Sequence, residues 1–122
     1  MITVSDPRSY HIANPTSNAF NTAYNVSTGQ GFDGVAYVHD GSVSGTGSLL
    51  ITGKHVLTAA HVVDDWDIGD ARVEFDLPGG TQTVNVSAIN IFSGWNSTTF
   101  NNDIAILTLS ETAPDAADRY NI

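Results

Sequence analysis

The feature that most constrains the fold is a series of short apolar or alternating runs, because no segment of twelve or more residues carries a helical period of 3.6 residues. Each run is bounded by Gly, Asp, Asn or Pro, which are the residues that end strands and form turns. This spacing predicts six strands in an all-β barrel or sandwich. The runs are GVAYVHD, GSLLITG, KHVLTAAHVV, ARVEFD, QTVNVSAINIF and DIAILTL, which begin at residues 34, 47, 54, 71, 82 and 103.

Outside these runs the sequence predicts little regular structure. Residues 1–30 show no sustained period and are interrupted by prolines and glycines, which indicates an irregular N-terminal arm. The stretch 45–63 is expected to run as a glycine-rich turn, a buried strand, a short turn at Gly53-Lys54 and a second strand. Helix is expected only as one turn around 59–63 and as a short segment over 113–119.

The composition excludes several classes of partner. Four basic residues stand against thirteen acidic ones, and the formal net charge of -9 would repel a nucleic-acid backbone. No run approaches the roughly 18 to 20 apolar residues of a membrane helix, and the first residues lack the basic start and apolar core of a signal peptide. The sequence has no cysteine, which excludes disulfides and cysteine metal sites. Neither nucleic acid nor a membrane is therefore an expected partner.

Two polar residues at the ends of apolar runs suggest a catalytic pair. His61 follows the small residues Ala59 and Ala60, which let the backbone turn so that the imidazole can leave the strand end toward a cleft. Asp103 stands immediately before an apolar strand, where a carboxylate is costly unless another group accepts its charge. A histidine N–H is a suitable partner, because the carboxylate then orients the ring and leaves the other nitrogen free to act as a base.

These residues lie in two motifs, GTGSLLITGKHVLTAAHVV and NNDIAILTL, which together resemble the amino-terminal half of a chymotrypsin/trypsin-like serine peptidase of the cysteine-free, bacterial type. The family's histidine motif is matched by Thr58 to His61, and its aspartate motif by Asp103 to Leu107. The resemblance implies that His61 is the general base and Asp103 its orienting carboxylate. It also implies a single six-stranded antiparallel Greek-key barrel over 31–113, with 114–122 as the start of the crossing to a second barrel.

The sequence also departs from the family. The second barrel of such peptidases carries the nucleophile in a Gly-Asp-Ser-Gly-Gly motif, which does not occur among these 122 residues. Animal members tie the histidine loop to the neighbouring strand with a disulfide, whereas this chain has Val62 and Gly45 in that region, so packing is expected to take over. The expectation is the first half of a secreted or periplasmic serine endopeptidase that acts on protein or peptide substrates but is inactive without the second barrel.

Two non-catalytic interpretations stay open. A natural half-domain or pseudopeptidase could serve as a binding or assembly module, and it would self-associate through the exposed face that normally meets the second barrel. An unrelated β-sandwich for adhesion or carbohydrate binding would fit the Asn-, Ser- and Thr-rich composition, but it would leave both motifs as coincidences.

The remaining polar residues give weaker signals. No cofactor is expected, and the one candidate metal site is a calcium loop at Asp65, Asp67 and Asp70, which lacks the glutamate and spacing of an EF-hand. Five serines lie near the pair but outside any nucleophile motif: Ser42, Ser44, Ser48, Ser93 and Ser97. Surface or turn roles are expected for His11, His39 and His55. Trp66 and Trp95 are expected to pack at a barrel end.

Overall fold

Eight strands provide most of the regular structure in the part of the chain that is described, residues 2–3 and 25–122 of a computed structural model. In chain order they are β1 (Ile2–Thr3), β2 (Asn25–Val26), β3 (Val35–His39), β4 (Ser44–Leu49), β5 (His55–Thr58), β6 (Arg72–Leu77), β7 (Gly80–Ile91) and β8 (Ala105–Leu109). Strand β1 pairs with β2, and the other six close into one antiparallel barrel in the order β3-β4-β5-β8-β7-β6. The predicted six-stranded barrel is confirmed, and the sandwich is wrong.

The strand order contains a Greek key. Strands β3, β4 and β5 are successive antiparallel neighbours, and β6 returns to pair with the far side of β3. The spatial order is then fourth, first, second, third, which defines the motif. Strand β8 closes the barrel against β5, with Thr58 opposite Ala105. The end of β5 and the start of β8 therefore lie at the same end of the barrel.

The core of the described residues consists mainly of the inward-facing residues of the six barrel strands, and the connecting segments add Ala60, Val63, Ala71, Ala113 and Ala117. Strand β6 shows the alternation most clearly, because Val73, Phe75 and Leu77 are buried while the residues between them are partly exposed. Each fully buried side chain of this kind contributes about 1.5–3 kcal/mol to the free energy of folding. The largest fully buried side chains are Phe75, Leu49, Leu107, Leu109, Val38, Val56, Val63 and Val73.

The glycine-rich turn predicted at the start of 45–63 is wrong, because Gly45 and Gly47 lie inside β4. The short turn predicted at Gly53-Lys54 is present between β4 and β5, where the Gly53 N–H donates to the Leu50 carbonyl at 2.9 Å. Gly45 and Gly47 instead allow neighbouring side chains to pack closely against the strand. A Cβ on Gly47 would lie 2.4 Å from Cγ1 of Val56, so only glycine fits between these strands.

Helix is confined to one short element in the described part of the chain. The predicted turn at 59–63 is present as α1 (Ala60–Val63). The predicted helix over 113–119 is wrong, since this segment forms a turn in which the Ala117 N–H donates to the Pro114 carbonyl at 3.0 Å. Proline restricts the residue before it to extended conformations, which disfavours a helix there. No helix in these residues is long and apolar enough to cross a membrane.

The segment that follows β8 is tied to the turn before β3. The Asp33 N–H donates to the Asp118 carboxylate at 2.9 Å, and the Tyr120 hydroxyl donates to the Gly31 carbonyl at 2.8 Å. A Cβ on Gly34 would lie 1.8 Å from the backbone oxygen of Asp118, which shows how closely the two segments pack. Burial raises the pKa of Tyr120, and the nearby charges of Asp118 and Asp33 act in the same direction.

Two predictions of domain organisation are not settled by these contacts. Most of the predicted arm, residues 4–24, lies outside the described residues, and so does His11. The barrel boundaries 31–113 and the crossing at 114–122 stay predictions.

Candidate active site

Strand β5 and helix α1 place His61 at the end of the barrel. Strand β5 ends at Thr58, Ala59 is extended with φ -93° and ψ 141°, and α1 begins at Ala60. Ala60 and Val63 are buried in the core, so the first turn of the helix is held against the barrel. His61 lies between these two anchors, and 49% of its side chain is exposed.

A tight loop places Asp103 beside His61. Asn102 adopts a left-handed conformation with φ 59°, which asparagine tolerates better than most residues. Its side-chain amide donates to the Gly94 carbonyl at 3.0 Å, and its own carbonyl accepts the N–H of Ile104 at 2.9 Å. The Asp103 side chain is 22% exposed, so it is more enclosed than the imidazole that it faces.

The carboxylate of Asp103 binds His61 through both oxygens. Oδ1 accepts the backbone N–H of His61 at 2.7 Å, and Oδ2 lies 2.5 Å from the ring nitrogen Nδ1. The backbone contact fixes the carboxylate relative to α1, and the second contact then orients the ring. With Nδ1 as the donor, the other ring nitrogen, Nε2, carries the free lone pair of the neutral imidazole.

The environment of Asp103 favours its ionised form. Burial by itself raises the pKa of this carboxyl group, but hydrogen bonds and charge outweigh it. The backbone N–H and side chain of His61, with a smaller contribution from the Ala60 N–H, lower the pKa below its ordinary value. Asp103 is therefore an acceptor at neutral pH, as the Nδ1–H tautomer of His61 requires.

An aromatic cluster that the sequence analysis did not find packs against the histidine. The Phe100 and His61 rings lie 5.8 Å apart and tilted by 33°, and Trp95 meets Phe100 edge to face at 5.4 Å. The Trp95 indole N–H donates to Asp64 at 3.4 Å. Phe100 has φ 59°, which is rare for a bulky residue, and no local signal in the sequence indicates it.

Asn96 holds the loop that carries this cluster. Its side-chain oxygen accepts the N–H groups of Thr98 and Thr99 at 2.9 and 3.1 Å, and its carbonyl accepts the Phe100 N–H at 2.7 Å. An Asn followed by small hydroxyl residues is typical of such turns, so this part of the loop could have been predicted from the sequence.

The other predicted candidates make different contacts. Trp66 and Trp95 pack against the core, and His55 contacts the Thr52 hydroxyl at 2.8 Å. Within residues 25–122 no hydrogen bond joins His61 to Ser42, Ser44, Ser48, Ser93 or Ser97. The same residues contain no group of three or more His, Cys, Asp or Glu side chains that could hold a metal ion, and calcium at Asp65, Asp67 and Asp70 stays a prediction.

Comparison with known proteins identifies the family. The family model described as Trypsin matches residues 20–119. The chain belongs to the trypsin family. The resemblance to chymotrypsin/trypsin-like peptidases is thereby confirmed, and the barrel described above is a trypsin-like barrel.

Two relatives of this trypsin-family chain are informative. Chymotrypsin-C of Bos taurus is 38% identical over 71 residues, which are 54% of this chain and 26% of that protein. The crystal structure of the scabies mite inactivated protease paralogue S-D1 superimposes with a TM-score of 0.61 at 21% identity, over 74% of this chain and 40% of that one. The matched part of the chain thus covers less than half the length of each relative.

Proposed function

We propose that His61 and Asp103 are the histidine and aspartate of the Ser-His-Asp triad of a serine endopeptidase. The observation that carries the proposal is the two-point contact of the Asp103 carboxylate with the backbone N–H and Nδ1 of His61, at 2.7 and 2.5 Å. A histidine that only fills the core would be buried with its polar nitrogens hydrogen-bonded. The His61 ring is instead held at Nδ1 by Asp103, and 49% of its side chain is exposed. Membership of the trypsin family and the similarity to chymotrypsin-C support the same assignment.

The proposed chemistry follows from the orientation of the ring. Nε2 of His61 takes the proton of a serine hydroxyl while the serine oxygen attacks the carbonyl carbon of a peptide bond. The imidazolium then returns this proton to the departing amine, which leaves an acyl-enzyme, and a water molecule releases the acid by the same two proton transfers. Asp103 stabilises the imidazolium and keeps its own charge throughout, because its pKa is lowered.

The nucleophilic serine would come from residues beyond this chain. The 122 residues contain no Gly-Asp-Ser-Gly-Gly motif, and a base without a nucleophile or an oxyanion hole has nothing to activate. We therefore infer that these residues alone do not hydrolyse peptides and that they require a second barrel. Protein or peptide substrates and a secreted or periplasmic location go with this proposal, as does the absence of a cofactor.

The test begins with the source gene, which should be sequenced past codon 122. An open frame of about a hundred further codons with a Gly-Asp-Ser-Gly-Gly motif would supply the enzyme, and its kcat/KM would then be compared with that of His61→Ala. The variant should lose at least about 10⁴-fold of the activity while it stays folded, whereas His55→Ala should retain it. Full activity in His61→Ala, or a gene without such a motif, would overturn the proposal.

One observation favours a second function, that of a binding or assembly module. Large apolar side chains remain exposed in and beside the loop that carries Asp103, namely Phe92 (51%), Phe100 (58%) and Ile104 (41%). Exposed apolar side chains of this kind contribute to association. Sedimentation velocity would support the module if the chain formed a defined dimer that Phe100→Ser converts to a monomer. A monomer or a polydisperse aggregate would contradict it.

A further inference from the structure

A pocket of about 320 Å³ opens on the outer surface of the barrel, on strands β3, β4 and β6 and the turn between β3 and β4. These strands carry neither His61 nor Asp103. The volume lies at the lower end of the range for ligand pockets, so a single side chain rather than an extended molecule would fill it. The pocket is lined by Tyr37, His39, Gly41, Ser42, Val43, Ser44 and Glu74.

The strand register holds the polar walls of this pocket in place. Tyr37 and His39 project outward from β3, because the residues between and before them face the core. Tyr37 lies directly opposite Glu74 in the pairing of β3 with β6. The Glu74 carboxylate contacts Nε2 of His39, and the His39 and Tyr37 rings lie 5.1 Å apart. The pocket therefore has an aromatic wall and an oriented carboxylate on a rigid sheet.

The charges around this pocket favour a cation. Glu74 is 31% exposed, so its carboxylate can also reach a ligand. Asp40 lies on the adjoining turn, and hydrogen bonds from the backbone N–H groups of Val43 and Ser42 lower its pKa. The nearest cation on β6, Arg72, directs its guanidinium to the Gly69 and Ala71 carbonyls instead.

We propose that this pocket binds the cationic side chain of a polypeptide, with arginine preferred over lysine. The guanidinium would stack on the exposed face of Tyr37 and donate to the Glu74 carboxylate, while its aliphatic stem would lie on Val43. Tyr37 and Val43 are 51% and 47% exposed, which leaves both surfaces available for contact.

The choice of a polypeptide over a free amine rests on the proposed function. Ser44 lines the pocket, and the next residue, Gly45, packs directly on Val62, which follows His61 in α1. The pocket thus adjoins the element that carries the candidate base. A polypeptide bound at the active site could reach it with a neighbouring basic residue.

The experiment is an NMR titration of the ¹⁵N-labelled 122-residue chain with the peptide acetyl-Gly-Arg-Gly-amide. The control peptide contains citrulline, which has nearly the shape of arginine without its charge. We expect amide shifts centred on Tyr37, Gly41 and Glu74, saturation in the millimolar range, at least fivefold weaker binding of the citrulline peptide, and weaker binding at high salt. Equal effects of both peptides, or shifts centred on the acidic loop 64–70, would overturn the proposal.

Matched variants separate the pocket from general charge effects. Glu74→Gln should weaken binding at least fivefold, whereas Glu111→Gln removes the same charge from an exposed position outside the pocket and should leave binding unchanged. Tyr37→Leu should weaken binding and Tyr37→Phe should retain it, because the ring rather than the hydroxyl makes the contact. Equal loss in both glutamate variants would contradict the proposal. No readout involves peptide hydrolysis, so failure here leaves the roles of His61 and Asp103 untouched.

Discussion

The side chain of Val62 occupies the space in which residue 45 would carry a Cβ atom, since an ideal Cβ on Gly45 would lie 2.8 Å from Cγ1 of Val62. This contact joins α1 to β4 directly beside His61. Animal members of the family are expected to use a disulfide in this region, and this chain has no cysteine. Direct packing of a branched side chain on a glycine provides the link here, as the sequence led us to expect.

Gly45→Ala should therefore destabilise the protein by about 1–3 kcal/mol, because the added methyl group overpacks the contact with Val62. Urea unfolding would measure the loss, and the double variant Gly45→Ala/Val62→Ala should recover most of it. Gly79→Ala is the control, since a Cβ at Gly79 meets nothing within 4 Å. If Gly45→Ala were as stable as the wild type and the NMR signals of His61 were unchanged, the contact would not hold α1 in place.

Asp103→Asn should reduce stability in a way that depends on pH. The folded-state pKa of Asp103 is lower than its ordinary value of 3.8, so folding favours the ionised form. Its stabilising contribution is complete above pH 3.8 and is lost as the pH falls through the folded-state pKa. The difference in unfolding free energy between wild type and variant should shrink accordingly in acid. The exposed Asp115→Asn is the control, and a difference independent of pH would contradict the assignment.

Tyr120→Phe should lower stability by about 1 kcal/mol at neutral pH, because the hydroxyl donates to the Gly31 carbonyl. At alkaline pH the stability difference between the wild type and the variant should shrink. The folded-state pKa of Tyr120 is raised above 10.0, so the stability of the wild type falls as the pH rises from 10.0 through the folded-state pKa. Thermal melts across this range should show the variant losing less stability than the wild type. Tyr37→Phe, at an exposed position, is the control.

Phe75→Ala should destabilise the barrel by about 3–5 kcal/mol, because Phe75 is the largest fully buried side chain and its removal leaves a cavity between the strands. Phe32→Ala removes the same atoms from a position that is 48% exposed, and it should change stability by less than about 0.5 kcal/mol. Denaturant midpoints would measure both values. Equal effects would mean that burial does not determine the contribution of the two rings.

The strands were predictable wherever side chains alternate between core and solvent, as Val73 and Phe75 do on β6. The sequence misled where backbone packing rather than side-chain pattern decides the structure. Gly45 and Gly47 have the composition of a turn, but they form strand because Val62 and Val56 fill the space beside them. Both contacts join residues that are not neighbours in the sequence, so no local sequence pattern indicates them.

The same division holds for the candidate active site. The chain order of small residues, His61, Asp103 and an apolar strand was enough to indicate the pair, since a carboxylate at the start of a buried strand needs a partner. The closure of β8 against β5 determined that the two side chains meet with both carboxylate oxygens engaged. It also brought Phe100 against the imidazole, whereas the pairing of β3 with β6 brought Glu74 against His39. The type and order of the residues are given by the sequence itself. Contacts between side chains on different strands depend on strand register, which only the folded barrel defines.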